Sequence, residues 1–237
     1  MIAKYALIPA LILPLLLTGC ASTQAPKSSE VTRLIKAQNH QGLADYYQQQ
    51  LQQHPDDPQI LLALAQSFYD AGDLESSEFY LNHLHRIDAE PTAQSLLLLG
   101  KLLNRKQDYA AGIDALQRAL ALGQNSGDLW LQLGMAYTQT AQFEPAVEAF
   151  NQARLLGSDP LMVKNNLAMV EMAQGHYQQA AKLLEPLYEQ HPDNPQVQAN
   201  LALAWAKSGE LSRAHRLLRQ LYPDTELSGV LTQLQQL

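Results

Sequence analysis

The chain has 237 residues, with 16 Lys plus Arg against 23 Asp plus Glu and a net charge of −7, and such an acidic body with no basic run is a poor electrostatic match for nucleic acid. Its one cysteine, Cys20, excludes an intrachain disulfide framework and any multi-cysteine metal site. Leu, Ala and Gln are abundant, β-branched residues are sparse, and glycine and proline fall mostly between periodic segments, which is an all-α composition.

Residues 1–20 read as a targeting segment. Lys4 and the amino terminus give a positive start, and an apolar run follows over residues 6–17. As a helix that run would span about 18 Å against a bilayer core of about 30 Å, and Pro9 and Pro14 interrupt it, so it is a signal peptide rather than a membrane span. It ends in Leu17, Thr18, Gly19 and Cys20, which resembles the bacterial lipobox. That resemblance implies removal of residues 1–19 and acylation of Cys20. Several acyl chains anchor stably where one is marginal. Ala21 and Ser22 follow, so the Asp that retains such proteins in the inner membrane of a Gram-negative bacterium is missing. The implied address is the periplasmic face of the outer membrane, with membrane lipid as the partner of Cys20. The mature chain would keep 15 positive and 23 negative charges, a net of −8, so the lipid rather than the protein's charge must hold it there. The small polar residues 21–29 form, with Cys20, an expected flexible tether reaching roughly 30 Å.

Residues 30–57 carry Val31, Leu34, Ile35, Leu43, Tyr47 and Leu51 at helical spacing and predict a degenerate hairpin capping the N-terminal end. Tyr46 and Tyr47 fit either that core or a contact surface.

From residue 58 to 223 one pattern returns five times. A small residue in the first helix of each unit serves as marker: Ala65, Gly100, Gly134, Ala168 and Ala202, spaced 35, 34, 34 and 34 residues. Twelve residues on comes a second small residue (Ser77, Gly112, Ala146, Ala180, Ala214), and sixteen on a large apolar one (Leu81, Leu116, Phe150, Leu184, Leu218). Small residues on facing stripes let two helix backbones approach closely, which predicts antiparallel hairpins. Gly72, Gly175 and Gly209 stand seven residues after their markers, where the first helix should end in a left-handed turn. Gln107 and Ala141 occupy that place in the second and third units, so different turns are expected there. Asp57 and Asn194 predict N-caps with Pro58 and Pro195 at the first helical position. Beyond Pro223, Leu227, Val230, Leu231 and Leu234 share a face and predict a C-terminal capping helix over residues 224–237.

A 34-residue helix-turn-helix period with Trp130, Leu133, Gly134, Tyr137, Ala146, Phe150 and Ala153 in this order resembles the tetratricopeptide repeat (TPR). The resemblance implies an all-α solenoid, a right-handed superhelix with a concave face.

No phosphate loop, GxGxxG, HExxH or GxSxG motif occurs. His83 and His85, two residues apart on a helix, point to different faces and make poor joint metal ligands. No catalytic residue, metal or cofactor is expected, and the chain reads as a binder of protein partners. In the architecture the resemblance implies, the groove is lined from the first helices, three and two residues before each marker and one and four after it. Those positions give Leu131, Gln132, Met135 and Thr138; Asn165, Asn166, Met169 and Met172; and Ala199, Asn200, Leu203 and Ala206. Four of the five methionines, Met135, Met162, Met169 and Met172, fall in or beside this patch. Unbranched, polarizable Met suits an adaptable surface, and Asn can bond an extended backbone. The same residues also suit inter-repeat packing with solvated amides. TPR domains that bind chaperone tails clamp a terminal carboxylate with Lys and Asn at these positions, whereas here only Lys101 and Arg105 are cationic, in one unit.

A lipobox followed by such units, the last two reading NNLAMVEMAQGHYQQAAKLLEPL and ANLALAWAKSGELSRA, resembles the TPR lipoproteins of tight-adherence (Tad) systems, which assemble Flp-type pili. The resemblance implies an assembly factor or pilotin-like scaffold that binds the secretin or other pilus components. An adaptor docking cell-wall hydrolases or outer-membrane assembly factors is the alternative, and an enzyme with an unrecognised site is a third reading.

Overall fold

The computed structural model describes residues 27–87, 90–219 and 229. The expected signal peptide, Cys20, residues 21–26 of the tether and, apart from helical Gly229, the C-terminal helix at 224–237 lie outside them. Twelve helices run through residues 27–218 among the described residues: α1 (Lys27–Lys36), α2 (His40–Gln53), α3 (Pro58–Ala71), α4 (Leu74–Ile87), α5 (Ala93–Arg105), α6 (Tyr109–Ala121), α7 (Gly127–Gln139), α8 (Phe143–Leu155), α9 (Pro160–Ala173), α10 (Tyr177–Gln190), α11 (Pro195–Lys207) and α12 (Leu211–Leu218). They pair as six antiparallel hairpins. The first helix starts at Lys27, so the last three residues expected in the tether belong to α1, where Glu30 sits in the first turn.

The hairpin turns are alike in all six units. One or two residues after the first helix ends, the chain adopts a left-handed conformation not only at Gly72, Gly175 and Gly209 but also at Gln38 (φ 51°), Gln107 (φ 64°) and Ala141 (φ 56°). The next N–H reaches back five residues each time, as in Asp108 N to Leu103 O (2.9 Å) and Gln142 N to Tyr137 O (2.8 Å), matching Asp73 N to Phe68 O (2.9 Å) at a glycine turn. The expectation of different turns at Gln107 and Ala141 is therefore corrected. The paired backbone bonds and the packed helices hold the turn, and the side chain accepts left-handed strain of about 1–2 kcal/mol.

The other ends of the hairpins are set by capping. Asp57 accepts from Gln59 N (2.9 Å) and Ile60 N (3.2 Å), and Asn194 from Gln196 N and Val197 N (both 3.1 Å), with Pro58 and Pro195 beginning their helices. Asp159 caps α9 in the same way, ahead of Pro160.

Each odd helix packs on the even helices either side of it and on the next odd helix from α3 to α11, while even helices stand farther apart and reach one another through long side chains, as where Arg213 of α12 pairs with Glu185 of α10 at 2.8 Å. Odd helices therefore line the inner face and even helices the outer one. The core runs as a continuous ribbon between the layers. Ala65, Ala168 and Ala202 are fully buried, as are Leu81, Leu116 and Leu184, with Phe150 at 1 % exposure. Close approach is real at Gly134, where an added Cβ would lie 2.5 Å from Phe150 Cε1, and at Gly100, where it would overlap Leu116. In the N-terminal hairpin Tyr47 packs half-buried against Ala44, Leu64 and Phe68, and its ring meets Tyr46 edge-on with centroids 5.2 Å apart.

Candidate partner-binding groove

A concavity of about 600 Å³ opens on the inner face across α7, α9 and α11. It gathers Met135 from α7, Asn165, Asn166 and Met169 from α9, and Ala199 and Asn200 from α11, all of them positions read from the repeat register. Met135 is 42 % exposed and Met162, at the groove's edge, 49 %. Asn200 Nδ2 donates to Asn165 Oδ1 at 2.9 Å across the two helices, which fixes both amides in place. Asn166 makes no protein hydrogen bond among the described residues, so its amide is available to a ligand backbone. Asp159 is the single ionisable residue in the lining, and its Oδ1 already accepts from Leu161 N at 2.9 Å. The surface is thus apolar and amide-bearing, suited to an uncharged segment of another chain.

Six of the twelve residues read as groove-lining lie elsewhere, Thr138 and Ala206 among them, both buried. Leu131 (7 % exposed) joins the buried cluster with Ala146, Phe150 and Val163, and Met172 (7 % exposed) joins the one around Leu201 and Trp205. Leu203 is half-buried against that same cluster. Gln132 is occupied by the neighbouring repeat, its carbonyl and Oε1 accepting from Asn104 Nδ2 at 3.0 and 3.2 Å. The reason is helical geometry. A residue four after the marker shares the marker's face, and the marker is buried against its own hairpin partner. Asn104, Thr138, Met172 and Ala206 are accordingly all buried. The groove is lined instead by Met135 and Met169, one after their markers, by Asn166 and Asn200, two before, and by Asn165 and Ala199, three before.

The register alone missed the ends of α9 and α11: Asp159, Leu161, Met162, Asn194, Pro195, Gln196 and Val197 also line the groove. Their signal was present in Asp159-Pro160 and Asn194-Pro195, each an N-cap followed by proline, since these bring the helix starts to the rim.

The cations of the second repeat are engaged within the fold. Lys101 Nζ lies 2.9 Å from Asp128 Oδ2, and both Lys101 and Arg105 stand over the Tyr69 ring, 5.3 and 5.7 Å from its centre. His83 and His85 address separate partners, Asp56 (3.1 Å) and Ser95 (3.2 Å).

A tetratricopeptide-repeat family model matches residues 34–100 and 171–228, and a second one matches 97–161. The chain belongs to the tetratricopeptide-repeat family. As a TPR protein it is one of a class that generally mediates protein–protein interactions. No curated protein matches its sequence. Among solved structures it is similar to YrrB, a TPR protein (19 % identity, 80 % of this chain and 99 % of that one, TM-score 0.55). It is also similar to a tetratricopeptide repeat protein from Parabacteroides merdae (12 % identity, 84 % and 80 %, TM-score 0.66) and to a thermophilic TPR protein of Thermus thermophilus (15 % identity, 76 % and 100 %, TM-score 0.58). At these identities the likeness establishes the fold.

Proposed function

We propose that this TPR protein is a non-enzymatic scaffold, anchored by acylated Cys20 at the periplasmic face of the outer membrane, that serves Tad pilus biogenesis by binding the secretin or another pilus component. The observation that carries the binding reading is the groove across α7, α9 and α11, with exposed methionines, a fixed Asn165–Asn200 pair and the uncommitted amide of Asn166. A structural neighbour is described as a TPR protein with an unusual peptide-binding site, and an extended or helical segment is the partner this groove suits. The address rests on Leu17, Thr18, Gly19 and Cys20, and the pilus assignment on the resemblance of the last two repeats to Tad lipoproteins.

The test is a crosslinking pull-down from outer membranes, comparing the lipidated protein with its Asn166→Ala/Met169→Glu/Asn200→Ala variant. Recovery of a secretin or pilus component that the variant loses supports the proposal. Recovery that survives the substitutions moves the site off the groove. A pull-down dominated by cell-wall hydrolases replaces the pilus role with that of a periplasmic adaptor.

A further inference from the structure

Twenty-two residues after the marker, where each even helix ends, the second, third and fourth hairpins place Ile87, Leu122 and Leu156, and Leu155 stands beside the last. All four are exposed, by 38, 58, 42 and 72 %. The equivalent positions in the first and fifth hairpins are Gln53 and Gln190. Three successive hairpins therefore carry a row of bare aliphatic side chains along one edge. The opposite edge of the same hairpins is made of Gly72-Asp73, Lys106-Gln107-Asp108 and Thr140-Ala141-Gln142, none of them large and apolar.

Because every hairpin is antiparallel, the edge on which even helices end is the edge on which odd helices begin. The first helix begins there too, at Lys27. Cys20 precedes it by seven residues, which at full extension reach roughly 25 Å. A membrane that holds Cys20 thus faces the edge that bears the aliphatic row. The charges fit. Arg86 and Arg154 are exposed and immediately precede Ile87 and Leu155, and Arg118 lies one turn before Leu122, 3.5 Å from Asp114. Guanidinium groups beside leucines suit a layer of phosphate headgroups over acyl chains. Of the acids on this edge, Asp57 and Asp159 are turned to the starts of α3 and α9, Asp56 lies 3.1 Å from His83, Asp128 pairs with Lys101, and Glu30, Glu90 and Asp193 are exposed.

We infer that the edge carrying Ile87, Leu122, Leu155 and Leu156 rests on the phospholipid surface to which Cys20 is tethered. The inference rests on the anchoring proposed above. The solenoid then lies edge-on against the membrane with its inner groove open to the side, instead of swinging on a flexible leash.

The test uses the mature acylated protein in vesicles of phosphatidylethanolamine and phosphatidylglycerol. Acylation consumes the thiol of Cys20, so Leu122→Cys, Leu156→Cys or, on the opposite edge, Gln139→Cys each supplies a single free thiol for an environment-sensitive fluorophore. With nitroxide-labelled lipids in the vesicle, the probes at 122 and 156 should shift to the blue and lose most of their emission. The probe at 139 should do neither, and Leu155→Glu with Leu156→Glu should restore the emission at 122. Circular dichroism confirms that each variant is folded. Equal quenching on both edges, or none at 122 and 156, overturns the inference. So does a protein crosslinked to these positions in native outer membranes when vesicles give no quenching. Mass spectrometry of the N-terminal peptide separates the two failures. An unmodified Cys20 removes the anchoring and the inference together, whereas an acylated Cys20 with unquenched probes removes the edge contact alone.

Discussion

In an unconstrained helix, replacing glycine by alanine stabilises by about 1 kcal/mol; at Gly134 the opposite sign is expected. The added Cβ would stand 2.5 Å from Phe150 Cε1 and 2.7 Å from Cδ1 and Cζ, closer than such atoms approach in real structures. Phe150 is 1 % exposed and enclosed by Ala146, Ala153, Val163 and Val170, so its ring has nowhere to swing. Overpacking of this kind costs about 1–3 kcal/mol. With the clash on a rigid ring the cost falls in the upper part of that range, and the net loss for Gly134→Ala is about 1–2 kcal/mol. Phe150→Leu alone should lose stability by opening a void, and Gly134→Ala with Phe150→Leu should lose less than the two single losses added, because the smaller side chain vacates the space of the new methyl. Urea unfolding of the chain from residue 21, followed by circular dichroism, gives the midpoints. Hydrogen exchange at the amides of α7 and α8 checks that the effect is local, since a repeat array need not unfold as one unit. A Gly134→Ala variant more stable than wild type, or a double variant with strictly additive losses, would refute the close helix approach on which the hairpin rests.

Ala141→Gly and Gln107→Gly should each raise stability, by about 0.5–1 kcal/mol in urea melts, because glycine relieves left-handed strain but adds freedom to the unfolded chain. Ser77 Oγ is buried with no hydrogen-bond partner among the described residues, and the same place in the last three repeats is alanine; Ser77→Ala should therefore gain about 1 kcal/mol. The Asp73 carboxyl is held below its ordinary value of 3.8 by hydrogen bonds from the Ser76 N–H and hydroxyl. Its contribution is complete above 3.8 and disappears as pH falls through the depressed value. Wild type and Asp73→Ala should thus differ in thermal midpoint near neutrality and converge in strong acid, where a constant gap would contradict the role assigned to the ionised carboxylate.

The period of small and large apolar residues made the hairpins legible in the sequence, because the same physical demand, two backbones in close contact, recurs at Gly100, Gly134 and the three alanines. Caps at Asp57 and Asn194 were legible because proline marks the following position. The turns at Gln107 and Ala141 were not, since bonds from the neighbouring backbone dictate a conformation those side chains do not favour alone. Of the positions read from the register, Met135, Asn165, Asn166, Met169 and Asn200 share one concavity, whereas Leu131 and Met172 are buried. Position in a repeat says which helix a residue belongs to. Which stripe is covered depends on how the next repeat packs, as with Asn104 reaching over to Gln132.

The central claim, that the inner face at α7, α9 and α11 holds a partner segment, is tested most directly by placing a photo-crosslinking amino acid at position 169 in the groove and, separately, at position 79 on the outer face, where Phe79 is 59 % exposed. On irradiation of intact cells, position 169 should yield an adduct with a pilus or secretin component that is lost with Asn166→Ala, and position 79 should yield none. An adduct with that component from position 79 and none from 169 would place the partner on the outer face and contradict the account.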